Sequence, residues 1–146
     1  MAPPFEWPFD LDVPVRFRDL DGFGHVNNAV FLTFFEQARI DCYLRLLGRS
    51  GPFEAGAGLN FVVARAEIDY LSPVRSGDVV RISVRPARVG RSSFDLSYAA
   101  HRIGGEPVAR GRTVQVAYDH ETGRSRPLSG ELTALLREGL PAEQPS

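Results

Sequence analysis

The densest polar cluster in the 146-residue chain is Arg18-Asp19-Leu20-Asp21-Gly22-Phe23-Gly24-His25-Val26-Asn27-Asn28. It lies where the pattern changes from strand to helix, and so places carboxylates, an imidazole and a helix N-terminus within a few residues. First-turn amides of a helix have no intrahelical acceptor and sit at the positive end of its dipole, so they can hold a developing oxyanion. A nearby carboxylate can attack a carbonyl or activate water. Gly22 and Gly24 let a substrate approach the backbone. A capped turn with a solvated histidine has the same composition, so the cluster alone leaves both readings open.

The elements that must position this cluster follow from periodicity. Residues 1–12 carry three prolines and the single tryptophan and read as an extended arm. Val13, Val15 and Phe17 alternate with Pro14, Arg16 and Arg18, which predicts a first strand ending near Asp19. Asn27 and Asn28 favour helix N-caps, and from residue 28 to about 47 Phe31, Phe34, Phe35, Ala38, Cys42 and Leu46 follow helical spacing. Val30, Leu32, Ile40, Tyr43, Leu44 and Leu47 occupy other faces, which predicts a helix buried nearly all round.

Gly48, Gly51, Pro52, Gly56 and Gly58 mark a loop. Beyond it, alternation around Ala64–Tyr70, Val80–Val84 and Phe94–Tyr98 predicts three strands, and Gly104-Gly105 a hairpin turn. In the next strand Val114, Val116 and Tyr118 share one face, and small Ala109, Gly111 and Ala117 the other. Leu132, Leu135 and Leu136 predict a short terminal helix stopped by Gly139. The order argues an α+β domain, an antiparallel sheet packed on one helix: an arm at 1–12, the domain at 13–128, and a short helix and tail at 129–146.

Composition narrows the chemistry. The chain is 43% hydrophobic and 24% charged with a formal net charge of -1, the profile of an ordinary globular domain. Every basic residue is arginine, which excludes a lysine Schiff base, a P-loop lysine and a serine-lysine dyad. One cysteine, Cys42, excludes an intrachain disulfide and a multi-cysteine zinc site, and suits a reducing cytoplasm. Cys42 lies among apolar helix residues and reads as a small buried hydrophobe. No G-x-S-x-G elbow occurs. His101 and His120 lack metal-ligand spacing, so no metal and no cofactor are expected. Scattered arginines argue against nucleic acid, and no apolar run approaches the roughly 20 residues of a membrane span.

The run from Val15 to Arg39, with D-x-D-x-x-G-H-V-N-N-A-x-F followed by E-x-A-R, resembles the 4-hydroxybenzoyl-CoA thioesterase-like branch of the hotdog-fold acyl-CoA thioesterases, closest to the subgroup carrying H-V-N-N. Weaker similarity covers Ala66 to Val74, Gly77-Asp78 and Gly90 to Phe94. The resemblance implies an antiparallel five- to six-stranded sheet wrapped around one long central helix. It implies hydrolysis of an acyl-CoA to free acid and CoA, with Asp21 as nucleophile or general base and the Asn28 amide as oxyanion contact. His25, matching the subgroup, is a further site candidate with a role in turn structure, orientation or substrate contact. Arg91 and Ser93 fall where related enzymes bind the CoA nucleotide, and arginine suits phosphate geometry. Sites between subunits of a homodimer or homotetramer are implied as well. A hotdog hydratase or dehydratase and a non-catalytic acyl-binding or assembly module are the alternatives. Glu36 and Arg39 read most simply as an intrahelical i, i+3 pair.

Overall fold

The computed structural model describes residues 6–46 and 61–142. Its elements are β1 (Phe9–Pro14), a 3-10 turn (Phe17–Asp19), α1 (Asn28–Leu46), β2 (Phe61–Tyr70), β3 (Val79–Val89), β4 (Ser93–Arg102), β5 (Pro107–Asp119), the short β6 (Arg124–Ser125) and α2 (Gly130–Glu138). The strands form one antiparallel sheet in the order β1-β3-β4-β5-β2, with β6 on β5. The glycine-rich connection expected at 48–58, and Leu47 at the expected helix end, lie outside the described residues.

The sheet curls around α1. Phe31, Phe34, Phe35, Ala38 and Cys42 are buried against Val80, Ile82 and Val84 of β3 and Phe94, Leu96 and Tyr98 of β4. Each large apolar side chain so enclosed stabilises by roughly 1.5–3 kcal/mol. The helix is not buried all round as its composition predicts: Leu32 is 43% exposed, and Thr33, Glu36 and Gln37 are exposed too. A single sheet reaches one side of a helix, and the opposite side remains open in one chain.

Two further expectations are corrected. The first strand runs over Phe9–Pro14, not to Asp19, so residues 9–12 of the expected arm pair with β3. Alternation continues through Val15 and Phe17, but the Asp19 carboxylate accepts the Arg16 N–H at 2.8 Å and pulls the chain into a 3-10 turn. Trp7, also in the expected arm, donates its indole N–H to the Leu135 carbonyl at 2.9 Å and so ties the segment to α2. In β5 the small and polar face is the buried one: Ala109, Thr113, Gln115 and Ala117 are buried while Val114 and Val116 are half-buried. Gly111 shows why, since a Cβ there would lie 2.5 Å from Cε2 of Phe35.

The terminal helix is as expected. Ser129 caps it by accepting the Leu132 N–H at 3.2 Å. Gly139 ends it with an ordinary negative φ of -89°. Its role is space, because a Cβ would lie 2.6 Å from Pro86 and Trp7.

Candidate active site

The strand-to-helix connection separates the two aspartates. Asp19 is 2% exposed, and its carboxylate accepts the Arg16 N–H at 2.8 Å, Nε at 3.3 Å and Nη2 at 3.0 Å. Burial opposes its charge, but the combined hydrogen bonds of Arg16 outweigh it and hold the carboxyl below the usual carboxylate range. Asp19 is thereby a structural anchor.

Asp21 is exposed. Its N–H donates to the His25 carbonyl at 2.7 Å, and its carbonyl accepts the Gly24 N–H at 3.2 Å. Gly24 has φ +79°, a conformation that suits glycine. Carboxylate oxygen Oδ1 accepts the amides of Phe23 at 2.8 Å and His25 at 3.2 Å. Oδ2 has no partner among the described residues and remains available for chemistry.

The helix start is fixed from several sides. Val26 donates its N–H to the Val74 carbonyl at 2.8 Å, and Asn27 to the Asp19 carbonyl at 2.9 Å. The Asn27 side chain caps the helix by accepting the Ala29 N–H at 3.0 Å. Asn28 occupies the first helical position, where the amide has no intrahelical acceptor.

A cavity of about 290 Å³ brings Asp21, His25 and Asn28 together with Phe31, Tyr70 and the Leu71–Val74 segment. A carboxylate and a helix N-terminus on one cavity can attack a carbonyl, or activate water against it, while an amide receives the oxyanion. Tyr70 is the residue that sequence reasoning missed. Its hydroxyl donates to the Asn28 carbonyl at 2.9 Å, 42 positions away, and no local spacing signals such a contact.

Arg91 and Ser93 are not in this cavity. Arg91 is exposed in the β3–β4 turn, and the Ser93 hydroxyl accepts Nη2 of Arg88 at 2.8 Å. Ser93 is opposite Val116 and Tyr70 is opposite Ala109, so seven residues of β5, about 24 Å at strand rise, separate them.

The expected Glu36–Arg39 pair is corrected: among the described residues the two form no ion pair, and Nη1 of Arg39 donates to the Tyr98 hydroxyl at 3.3 Å. Tyr98 in turn shares a 2.7 Å hydrogen bond with Thr113. Burial pushes the Cys42 thiol far up, which makes it inert. His101 lies within β4, and His120 stacks edge-on against Tyr118 at 5.0 Å. Among the described residues no group of His, Cys, Asp and Glu could hold a metal ion.

Comparison with known proteins agrees with this architecture. The profile of the thioesterase-like superfamily matches residues 15–136. The chain is 30% identical to the 1,4-dihydroxy-2-naphthoyl-CoA hydrolase of Thermosynechococcus vestitus over 128 residues, 88% of each chain. It is also 30% identical to the long-chain acyl-CoA thioesterase FadM of Escherichia coli, over 86% of this chain and 95% of FadM. A Thermus thermophilus thioesterase crystallised with coenzyme A and Zn aligns at 42% identity and a TM-score of 0.77, over 90% of this chain and 95% of that one. The chain therefore belongs to the thioesterase-like superfamily. It is a thioester hydrolase, and its curled sheet around α1 is the hotdog fold.

Proposed function

We propose that this thioesterase hydrolyses an acyl-CoA to a free carboxylic acid and CoA, with Asp21 acting on the thioester carbonyl and the Asn28 N–H receiving the oxyanion. The observation that carries this reading is the shared cavity: the exposed Asp21 carboxylate and the first turn of α1 line the same 290 Å³ space. Two amides hold Oδ1 and aim the carboxylate. If Asp21 attacks directly, an acyl-aspartyl anhydride forms, CoA leaves as the thiolate, and water opens the anhydride. If Asp21 activates water, acid and CoA separate in one addition-elimination sequence. His25 serves both routes by bracing Asp21 through its backbone. Thiol release measured across short, medium, long and aromatic acyl-CoAs, with single turnover in 18O-labelled water, tests the activity and separates the routes. The direct route places the label in Asp21 when water opens the anhydride at the aspartyl carbonyl, whereas the water route places it in the product acid and never in Asp21.

The CoA nucleotide is assigned to Arg91 and Ser93 of a partner subunit. β2 is an edge strand exposed along almost its whole length, with Val62 at 37% and Val63 at 43% exposed. Antiparallel pairing of two such edges about a twofold axis sets the Phe61 end of one β2 beside the Tyr70 end of the other. That arrangement carries one subunit's β3–β4 turn toward the other's Asp21 cavity, offsetting the separation within a single chain. This pairing supports a homodimer or homotetramer. Light scattering of a stable monomer at micromolar concentration contradicts it.

The arginines support a small-molecule partner rather than nucleic acid or a membrane surface. Arg16, Arg65, Arg81, Arg88, Arg102, Arg110 and Arg112 are all paired with carboxylates of the same chain. No helix of the described residues is long and apolar enough to cross a membrane. The buried thiol of Cys42 suits a reducing cytoplasm.

A further inference from the structure

Two peptide planes flank the Cα of Asn28, and both are held. The first contains the Asn27 carbonyl, which accepts the Val30 N–H at 2.9 Å, and the Asn28 N–H assigned above to the oxyanion. The second contains the Ala29 N–H, bonded to the Asn27 side chain at 3.0 Å, and the Asn28 carbonyl, which accepts the Tyr70 hydroxyl at 2.9 Å. Two of these groups bond within the helix start itself, the Asn27 carbonyl and the Ala29 N–H. The Tyr70 bond comes from the end of β2, and its ring is seated edge-on against Phe31 at 5.7 Å.

We infer that Tyr70 is a positioning residue for the oxyanion contact: its phenol ties β2 to the first turn of α1 and so fixes where the Asn28 N–H points. The inference rests on the roles given above to Asp21 and Asn28. A neutral hydrogen bond at a side chain that is 43% exposed adds little to global stability. Catalysis is more demanding, because a misplacement on the order of 1 Å costs about 100-fold in rate. Loss of the phenol loosens the donor without deleting it, so the expected loss is smaller, about tenfold in kcat. A ring that only packs against Phe31 or substrate predicts the opposite split, with KM changed and kcat kept.

The test compares Tyr70→Phe, which keeps the ring, with Tyr70→Leu, which removes ring and hydroxyl, on the acyl-CoA that the parent turns over best. Affinity for the thioether analogue of that acyl-CoA and the thermal midpoint are measured alongside. Tyr70→Phe is expected to lose about tenfold in kcat, with KM and analogue affinity within about twofold of the parent and an unchanged midpoint. Tyr70→Leu is expected to show the same kcat loss with a raised KM. Parental kcat in Tyr70→Phe overturns the inference, and so does a kcat loss matched by falls in midpoint and analogue affinity. Asp21→Asn is run in parallel. If it turns over like the parent, the catalytic reading falls and this inference with it. If it is inactive while Tyr70→Phe keeps parental kcat, only the role of Tyr70 is overturned.

Discussion

Asp19 and Asp21 stand two residues apart with opposite surroundings: Asp19 is 2% exposed and locked to Arg16, whereas Asp21 is exposed with its Oδ2 unpartnered among the described residues. One carboxylate builds the connection and the other is presented by it. Asp19→Asn is therefore expected to cost about 1–3 kcal/mol of stability, the value of charge-assisted bonds to a partly exposed arginine, and to leave kcat per folded molecule near the parental value. Denaturant unfolding together with kinetics checks this. An inactive but fully stable Asp19→Asn contradicts it.

Acid sensitivity follows from a second buried carboxylate. Asp95 is 5% exposed on the outer face of the sheet, with Nε of Arg88 at 3.0 Å and Nε of Arg112 at 2.9 Å. Burial raises its pKa, but the hydrogen bonds from the two guanidiniums prevail, and the folded value lies below the ordinary one. A depressed folded pKa contributes stability that is fully present above the unfolded value of about 3.9. That contribution is lost as pH falls through the folded value. The parent is thus expected to lose stability steeply below about pH 4. Asp95→Asn is expected to be less stable at pH 7, by roughly 1–3 kcal/mol because both arginines are half exposed, and to lose less on acidification. Chemical unfolding at pH 7 and pH 3 measures both effects.

Gly111 tests the packing of helix on sheet. A Cβ there would lie 2.5 Å from Cε2 of Phe35 and 2.8 Å from the Glu67 carbonyl. The Phe35 ring is stacked on Tyr98 at 4.7 Å and cannot swing away freely. Gly111→Ala should destabilise by about 1–3 kcal/mol through overpacking, seen as a thermal midpoint several degrees lower. An unchanged midpoint contradicts the close approach.

The element order, the strands within residues 61–119 and the Asp21–Asn28 connection are legible in the sequence, because period-2 and helical spacing and the glycine turns act locally. What escapes is decided across the chain. The end of β1 is set by the Asp19 carboxylate reaching back to the Arg16 N–H, which alternation does not register. In β5, period 2 separates two faces without telling which one meets α1, and the small face wins because Phe35 fills the space above Gly111. Tyr70 joins the cavity only through β2–β5 pairing and the path of α1.

The proposed contact of Arg91 with the CoA nucleotide is tested by kinetics. Arg91→Ala should raise KM for acyl-CoA several-fold and leave kcat nearly unchanged, since an exposed guanidinium-phosphate contact is screened by solvent. The effect should be smaller for a pantetheine thioester that lacks the phosphates. Equal losses on both substrates indicate a structural role for Arg91.

The central claim, that Asp21 performs the hydrolysis, is tested most directly by steady-state thiol release from Asp21→Asn beside the parent. The amide keeps shape and leaves Oδ1 able to accept both turn amides, but it removes the basic, nucleophilic oxygen. A folded protein with the parental thermal midpoint and a kcat lower by about 100-fold or more is predicted. Turnover equal to the parent's contradicts the account.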